Sequence, residues 1–224
     1  MPSHSIHQIV EMQGRRWARS QARITDHLYP SIVVTRFPYS GAHELAAQVA
    51  SSLGYGFFGS EIVDEIAKNE GVQRELVAGL DERVKSAIER YVIDGFHHRP
   101  FAEQDYMRAA TRVISTLAHR GRAVILGRGA AAIVDPAHAL RVLVVAPLEW
   151  RRTRLAETNR LTPREAAEQL AAKDKERAEF NRRNLGFAQD DPVNYDLVVN
   201  AASLGLGPSA ATILEAFHRR FRDA

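Results

Sequence analysis

The sequence predicts a three-layer α/β/α domain built on a five-stranded parallel sheet. Three observations predict it. Ala123–Leu126 and Leu140–Ala146, the second interrupted only by Arg141, are apolar runs of the kind found in strands covered on both faces. Strand-like and helix-like segments alternate from residue 30 to the end, as crossover connections require. No internal repeat, low-complexity stretch or Pro- and Gly-rich linker divides the chain.

The elements follow in order. Residues 1–29 read as a basic N-terminal extension and residues 30–224 as the domain. Ser31–Thr35 is a short β-branched run after Pro30, the first strand. Glu44–Leu53 reads as a helix stopped by Gly54. Tyr55–Phe58 is a brief aromatic strand. Residues 60–95 read as largely helical, because Ile62, Ile66, Val84, Ala87, Ile88 and Tyr91 fall at helical spacing. Gly95–Pro100 breaks that stretch, and a further helix runs from about Glu103 to His119, closed by Gly121. Between the two central strands, Gly129–Val134 supplies only a short helix. Pro147–Trp150 opens a helix with proline near its first turn, and Thr162–Glu165 opens another with a capping-box pattern. Tyr195–Asn200 is the last strand and Pro208–Phe221 the last helix.

Composition narrows the function. The 224 residues, 45% hydrophobic and 25% charged, describe an ordinary globular domain, or one core with an inserted lobe. The absence of cysteine excludes disulfides, Cys-based zinc sites and thiol nucleophiles. The nine histidines show no metal-ligand spacing and no HExxH, and no G-x-S-x-G elbow occurs. Met1–Gln8 lacks an apolar core and the longest apolar run is too short to span a bilayer, so a cytoplasmic protein without a membrane partner is expected. The formal charge of +3 resides in residues 1–24, where Arg15, Arg16, Arg19 and Arg23 face only Glu11. Such an arm either contacts an anionic partner or is a solvated leader or first helix packed by Trp17 and Ile24; without basic clustering elsewhere, nucleic acid is an unlikely partner.

Three stretches carry chemistry. The turn after the first strand, Thr35–Glu44, contains Ser40-Gly41-Ala42, compatible with a nest of backbone N–H groups for phosphate. No lysine follows the glycine, so the cation there would be Arg36 or His43; the other reading is an ordinary strand–helix junction. Gly127-Arg128-Gly129 follows a central strand at the sheet's carboxyl end, where open α/β folds bind ligands. Arg128 presents a fork suited to phosphate, or else pairs with a local carboxylate such as Asp135. Arg151, Arg152 and Arg154, then Lys173, Asp174, Lys175, Arg177, Arg182 and Arg183, form either a solvated mixed-charge face or a set of lid cations for phosphoryl transfer.

Together these stretches resemble the cytidylate kinase-like family, a branch of the P-loop nucleoside monophosphate kinases. The matching residues are Thr35-Arg36 with Ser40-Gly41 and Glu44, Leu53–Tyr55, Val124–Gly129, Leu140–Arg151, Lys173–Arg177 and Asp191–Asn200, spread over roughly residues 31–221. The resemblance implies a P-loop NTPase fold with a helical acceptor lobe near 60–120 and a lid near 155–190. It implies ATP with Mg²⁺ as donor, its phosphates cradled by Ser40, Gly41, Ala42 and His43, with Arg36 nearby and Arg151 framing the donor side. Arg128 would grip the acceptor, Arg177 and Arg182 would close over the transferring group, and Asp64 is an alternative acceptor-side carboxylate. The acceptor would be a nucleotide or another small phosphate-accepting molecule.

The chain also departs from the family. Tyr39, Ala42 and His43 stand where relatives carry a glycine-richer loop with an arginine before the glutamate. Gly59 and Gly129 replace acceptor-side aspartates. Each change removes a charge or a backbone freedom. The competing expectation is therefore a nucleotide-binding sensor or scaffold that keeps the fold without turnover.

Overall fold

The computed structural model describes residues 29–78, 80–95 and 101–221, and the side chains of these except 94–95 and 101–104. The arginines of the basic N-terminal extension and the 96–100 break lie outside the described residues. Five strands, β1 (Ser31–Arg36), β2 (Gly56–Phe58), β3 (Ala123–Leu126), β4 (Ala139–Val145) and β5 (Leu197–Asn200), form one sheet. Their order is β2-β3-β1-β4-β5 and every neighbouring pair is parallel. The helices are α1 (Ala42–Leu53), α2 (Ser60–Lys68), α3 (Glu70–Val77), α4 (Glu82–Gly95), α5 (Phe101–Arg120) and α6 (Ala130–Ile133). They continue with α7 (Leu148–Asn159), α8 (Pro163–Leu185), α9 (Ala201–Leu204) and α10 (Leu206–Arg220).

The two-residue period of a strand sorts the core into layers. Ile32 and Val34, with Val124, Leu126, Val142 and Val144, pack against α1 and α10 through Leu45, Val49, Ile213 and Phe217. Val33, Ala123, Ile125 and Leu143 face the other way, onto Val63 and Ile66 of α2, Leu76 of α3 and Val113, Ile114 and Leu117 of α5. Burying each large aliphatic side chain contributes about 1.5–3 kcal/mol, which is why the middle of β1, Ile32–Val34, covered on both sides, is apolar. Among the described residues, no helix is long and apolar enough to cross a membrane.

The helical stretch expected over 60–95 is three helices. Asn69 ends the first and caps the next, its side chain accepting from Val72 N at 3.1 Å. The outermost, α4, turns its phase by one residue from the expected face: Val92 is 1% exposed and Tyr91 47%. The last strand starts at Leu197 rather than Tyr195, because Asp191 caps a short 3-10 turn at Pro192–Asn194 and the Tyr195 hydroxyl donates to Gln189 O.

Two features fix the site. Central β1 lies between β3 and β4, so the turns leaving β1 and β3 emerge side by side, tied by Gly127 N donating to Val34 O at 2.9 Å. Over them runs α8. Its start is the expected capping box, with Thr162 N donating to Glu165 Oε2 and Glu165 N to Thr162 Oγ1. Leu155, Ala166 and Leu170 join α7 to α8 in a small core of their own, on which Tyr39 packs.

Candidate functional site

The β1–α1 turn is built by Pro38, Tyr39 and Gly41. Ser40 N donates to Phe37 O at 3.2 Å, closing a turn with proline in second place and Tyr39 in third, at φ 61°. A side chain in that left-handed region costs about 1–2 kcal/mol. Packing of the Tyr39 ring on the α7–α8 core offsets that strain, and Asn159 Nδ2 donates to its hydroxyl at 3.4 Å. Gly41 (φ 82°) caps α1 in the left-handed region, and a Cβ there would also lie 2.9 Å from Leu206 Cδ2, so a side chain would be strained. Ala42 follows, buried, so no lysine stands after Gly41. His43 instead packs its ring edge-on against Phe57, centroids 5.2 Å apart.

The β3 turn is three consecutive left-handed residues, Gly127 (φ 84°), Arg128 (φ 51°) and Gly129 (φ 67°). Arg128 Nη2 pairs with Asp64 Oδ2, and Asp64 Oδ1 accepts from the Tyr106 hydroxyl at 2.6 Å. Burial works against the Arg128 charge, but Asp64 more than restores it and holds its pKa above the ordinary value. Asp135, the partner nearest in sequence, caps its own turn by accepting from Ala137 N.

These two turns and α8 enclose a cavity of about 580 Å³. Arg36, Ser40, Gly41, Ala42, His43, Arg128 and Arg177 all line it. Arg177 Nη1 reaches the backbone carbonyl of Arg36 at 3.1 Å. Burial, with the like charges of Arg36 and Arg128 beside it, pulls the Arg177 pKa down to about 10. Burial also lowers that of Arg36; Glu61 opposes this and Arg128 adds to it. Three guanidiniums thus share one partly dry space. Among the described residues, Arg36 Nη1, Arg128 Nε and Ser40 Oγ are buried and find no hydrogen-bond partner. Unsatisfied donors of this kind cost about 1–3 kcal/mol each, and more when charged. A phosphate-like anion would relieve both the missing acceptors and the like-charge crowding.

Three predicted residues stand elsewhere. Arg182 is exposed and does not line the cavity. The cleft stripe of α8 is Lys173, Glu176, Arg177, Phe180 and Asn181, a helical i, i+3, i+4, i+7, i+8 row, and Arg182 falls outside it. Arg151 lies behind the turn, 6% exposed, with Nη1 bonded to both carboxylate oxygens of Asp174 at 2.9 Å and to Pro38 O at 3.5 Å. It ties α7, α8 and the turn together without lining the cavity. Asp64 stands behind Arg128 rather than on the cavity wall.

Two further charged residues of the wall matter: Glu61, which the sequence did not single out, and Arg154, which it offered only as one of a run of possible lid cations. Glu61 accepts from Ser60 Oγ at 3.0 Å, and a Cβ on Gly59 would lie 3.0 Å from its Oε2, so the smallness of Gly59 admits that carboxylate. Arg154 pairs with Glu44 at 2.7 Å. Their signal is helical phase: Arg154 sits one turn beyond Arg151 on α7, and Glu61 occupies the first turn of α2. Among the described residues no three His, Cys, Asp or Glu side chains converge as a metal cage. The carboxylates on the cavity wall are Glu44, Glu61 and Glu176, and single acids of this kind fit only a divalent cation that takes most of its ligands from water and bound phosphate.

Residues 31–203 match the model of the cytidylate kinase-like family. A cytidylate kinase of Ignicoccus hospitalis is 25% identical over 178 residues, covering 78% of this chain and 91% of that protein. A 99-residue stretch is 30% identical to a uronate isomerase of Corynebacterium glutamicum, covering 44% of this chain and 19% of that enzyme. Among solved structures, an uncharacterized protein from Eubacterium ventriosum superposes with a TM-score of 0.67 at 18% identity, covering 86% of this chain and 99% of that one.

Proposed function

Because the chain belongs to the cytidylate kinase-like family, we propose that it is a phosphotransferase that moves the γ-phosphoryl group of ATP to a nucleoside monophosphate or similar small acceptor. One observation carries this reading: Arg36, Arg128 and Arg177 meet in a single cavity at the carboxyl ends of β1 and β3, beside the unpartnered Ser40 Oγ. In such a transfer the bond from the γ-phosphorus to the ADP oxygen breaks as one to an acceptor oxygen forms, and charge spreads over the equatorial oxygens. The protein's work is positioning and electrostatic stabilisation. Ser40, Gly41, Ala42 and His43 would face the donor phosphates with Arg36, and Arg128, steadied by Asp64, would hold the acceptor. Arg177 would neutralise the transferring group from α8. In this reading α2–α5 form the acceptor lobe and α7–α8 the lid. A bound Mg²⁺ would supply charge neutralisation between donor phosphates, with Glu61 as its protein ligand.

The test is calorimetric titration with ATP and Mg²⁺, followed by a screen of monophosphates for ADP release. Arg128→Ala and Arg177→Ala should each lower turnover by about a hundredfold or more, the scale of a transition-state arginine. Asp64→Asn should raise the acceptor KM more than it lowers ATP affinity. A folded protein that binds no ATP overturns the proposal. A second reading, nucleotide binding without turnover, draws on buried Ala42 in the place of a loop lysine and on His43 turned against Phe57. ATP binding without ADP release across the acceptor panel would favour it.

A further inference from the structure

We propose that Arg154 is a second cation of the donor phosphates beside Arg36, standing in for the lysine the β1–α1 turn lacks, and that Glu44 holds it in reserve until a polyphosphate arrives. The inference rests on the ATP-donor reading above. Arg154 comes down onto the turn from α7. Its Nη1 lies 4.0 Å from where a Cβ on Gly41 would be, so the guanidinium stands over the first residues of α1. Nη2 is bonded to Glu44 Oε1 at 2.7 Å. Trp150 supports the guanidinium at 4.7 Å from its ring centroid, and the same ring reaches within 3.4 Å of the Gly41 Cβ position.

Three further facts give this arrangement a direction. The residue after Gly41 is a buried alanine, so no lysine stands at the head of α1. Ser40, 1% exposed, has its hydroxyl without a partner beside the same turn. The Arg154–Glu44 pair is half open to water, its side chains 33% and 52% exposed, which makes it a weak and exchangeable contact. Glu44 offers the guanidinium one oxygen, whereas a phosphate group offers two acceptor oxygens and greater charge. Glu44 also lies in the first turn of α1, on the ground an incoming phosphate would take, and must withdraw for one to settle there. Arg154 therefore exchanges one anion for another, and the exchange costs the protein the Glu44 contact each time donor binds.

Inorganic tripolyphosphate separates a phosphate contact from a nucleobase contact, because it has no base. Its binding and that of ATP are measured by calorimetry on the whole chain, with thermal melts to establish folding. Arg154→Ala should weaken both ligands alike, by about tenfold to a hundredfold for one charge-assisted contact. Glu44→Gln should tighten both several-fold, because the neutral amide no longer competes for the guanidinium. A loss confined to ATP, or no loss at all, overturns the proposal, as does a Glu44→Gln variant that binds both ligands more weakly. Should Arg154→Ala fail to fold, the sign of the Glu44→Gln effect decides the question alone. If the folded wild type binds neither ligand, the donor reading falls and takes this inference with it. If it binds both and the two variants match it, only this inference falls.

Discussion

Arg177 and Arg36 are 141 residues apart in sequence, yet the Nη1 of one donates to the backbone carbonyl of the other at 3.1 Å. Burial and the like charges of Arg36 and Arg128 act on Arg177, and Asp174 and Glu176 offset them only in part. An arginine keeps its proton at any ordinary pH, so this crowding is relieved by an anion and not by titration.

Replacing Arg177 with methionine keeps most of the side-chain volume and removes the crowded charge. The ligand-free protein should gain roughly 1 kcal/mol, or about 2–4 °C in thermal midpoint for a domain of this size. The stabilisation added by ATP should shrink at the same time. Differential scanning calorimetry with and without ATP measures both, and a drop in the ligand-free midpoint would count against the crowding argument.

Gly129 is closed in by α8. A Cβ there would lie 1.9 Å from Leu185 Cδ1, and its φ of 67° disfavours any side chain. Gly129→Ala should therefore cost about 2–4 kcal/mol, part backbone strain and part overpacking. Adding Leu185→Ala should recover the overpacking share, so that the double variant is more stable than the sum of the two losses. Urea unfolding of the four proteins gives the coupling, and strict additivity would show that the two residues do not meet.

Asp196 accepts from Arg141 Nη2 at 2.9 Å and pairs with Arg220 Nη1 at 2.6 Å, joining β4, the start of β5 and α10. Burial opposes its ionisation, but the Arg141 and Arg220 bonds outweigh that and bring its pKa from 3.8 down to about 2. A depressed carboxylate stabilises the fold above its unfolded pKa and loses that contribution as pH falls through the folded one. Asp196→Asn should thus cost on the order of 2 kcal/mol at neutral pH. The gap from wild type should close between about pH 4 and pH 2; a gap that stays constant with pH would exclude the ion pairs as its source.

Local rules made the frame of this fold readable. The strand runs, the glycine stops at 54 and 121, and the Thr162–Glu165 capping box depend on residues within a turn of each other. The cation cluster was half legible. Arg128 announces itself by following a buried strand, but its partner Asp64 is 64 residues away, whereas the sequence offered Asp135. Arg177 and Arg182 look alike in a run of charges, and only the rotation of α8 about its axis separates the residue facing the cavity from the one facing water. Tyr39 was read as a lost glycine. Its left-handed backbone is in fact that of a glycine position, and a tyrosine stands there because Leu155, Ala166 and Leu170, more than a hundred residues later, receive its ring.

The 23-residue helix α8 has its only proline at the first position and no glycine before Gly186. No proline or glycine interrupts it along its roughly 35 Å. Asp174 bonds Arg151 near its middle, Arg177 reaches Arg36 one turn on, and Leu185 rests on Gly129 at its end. One unbroken helix therefore covers both the β1 turn and the β3 turn.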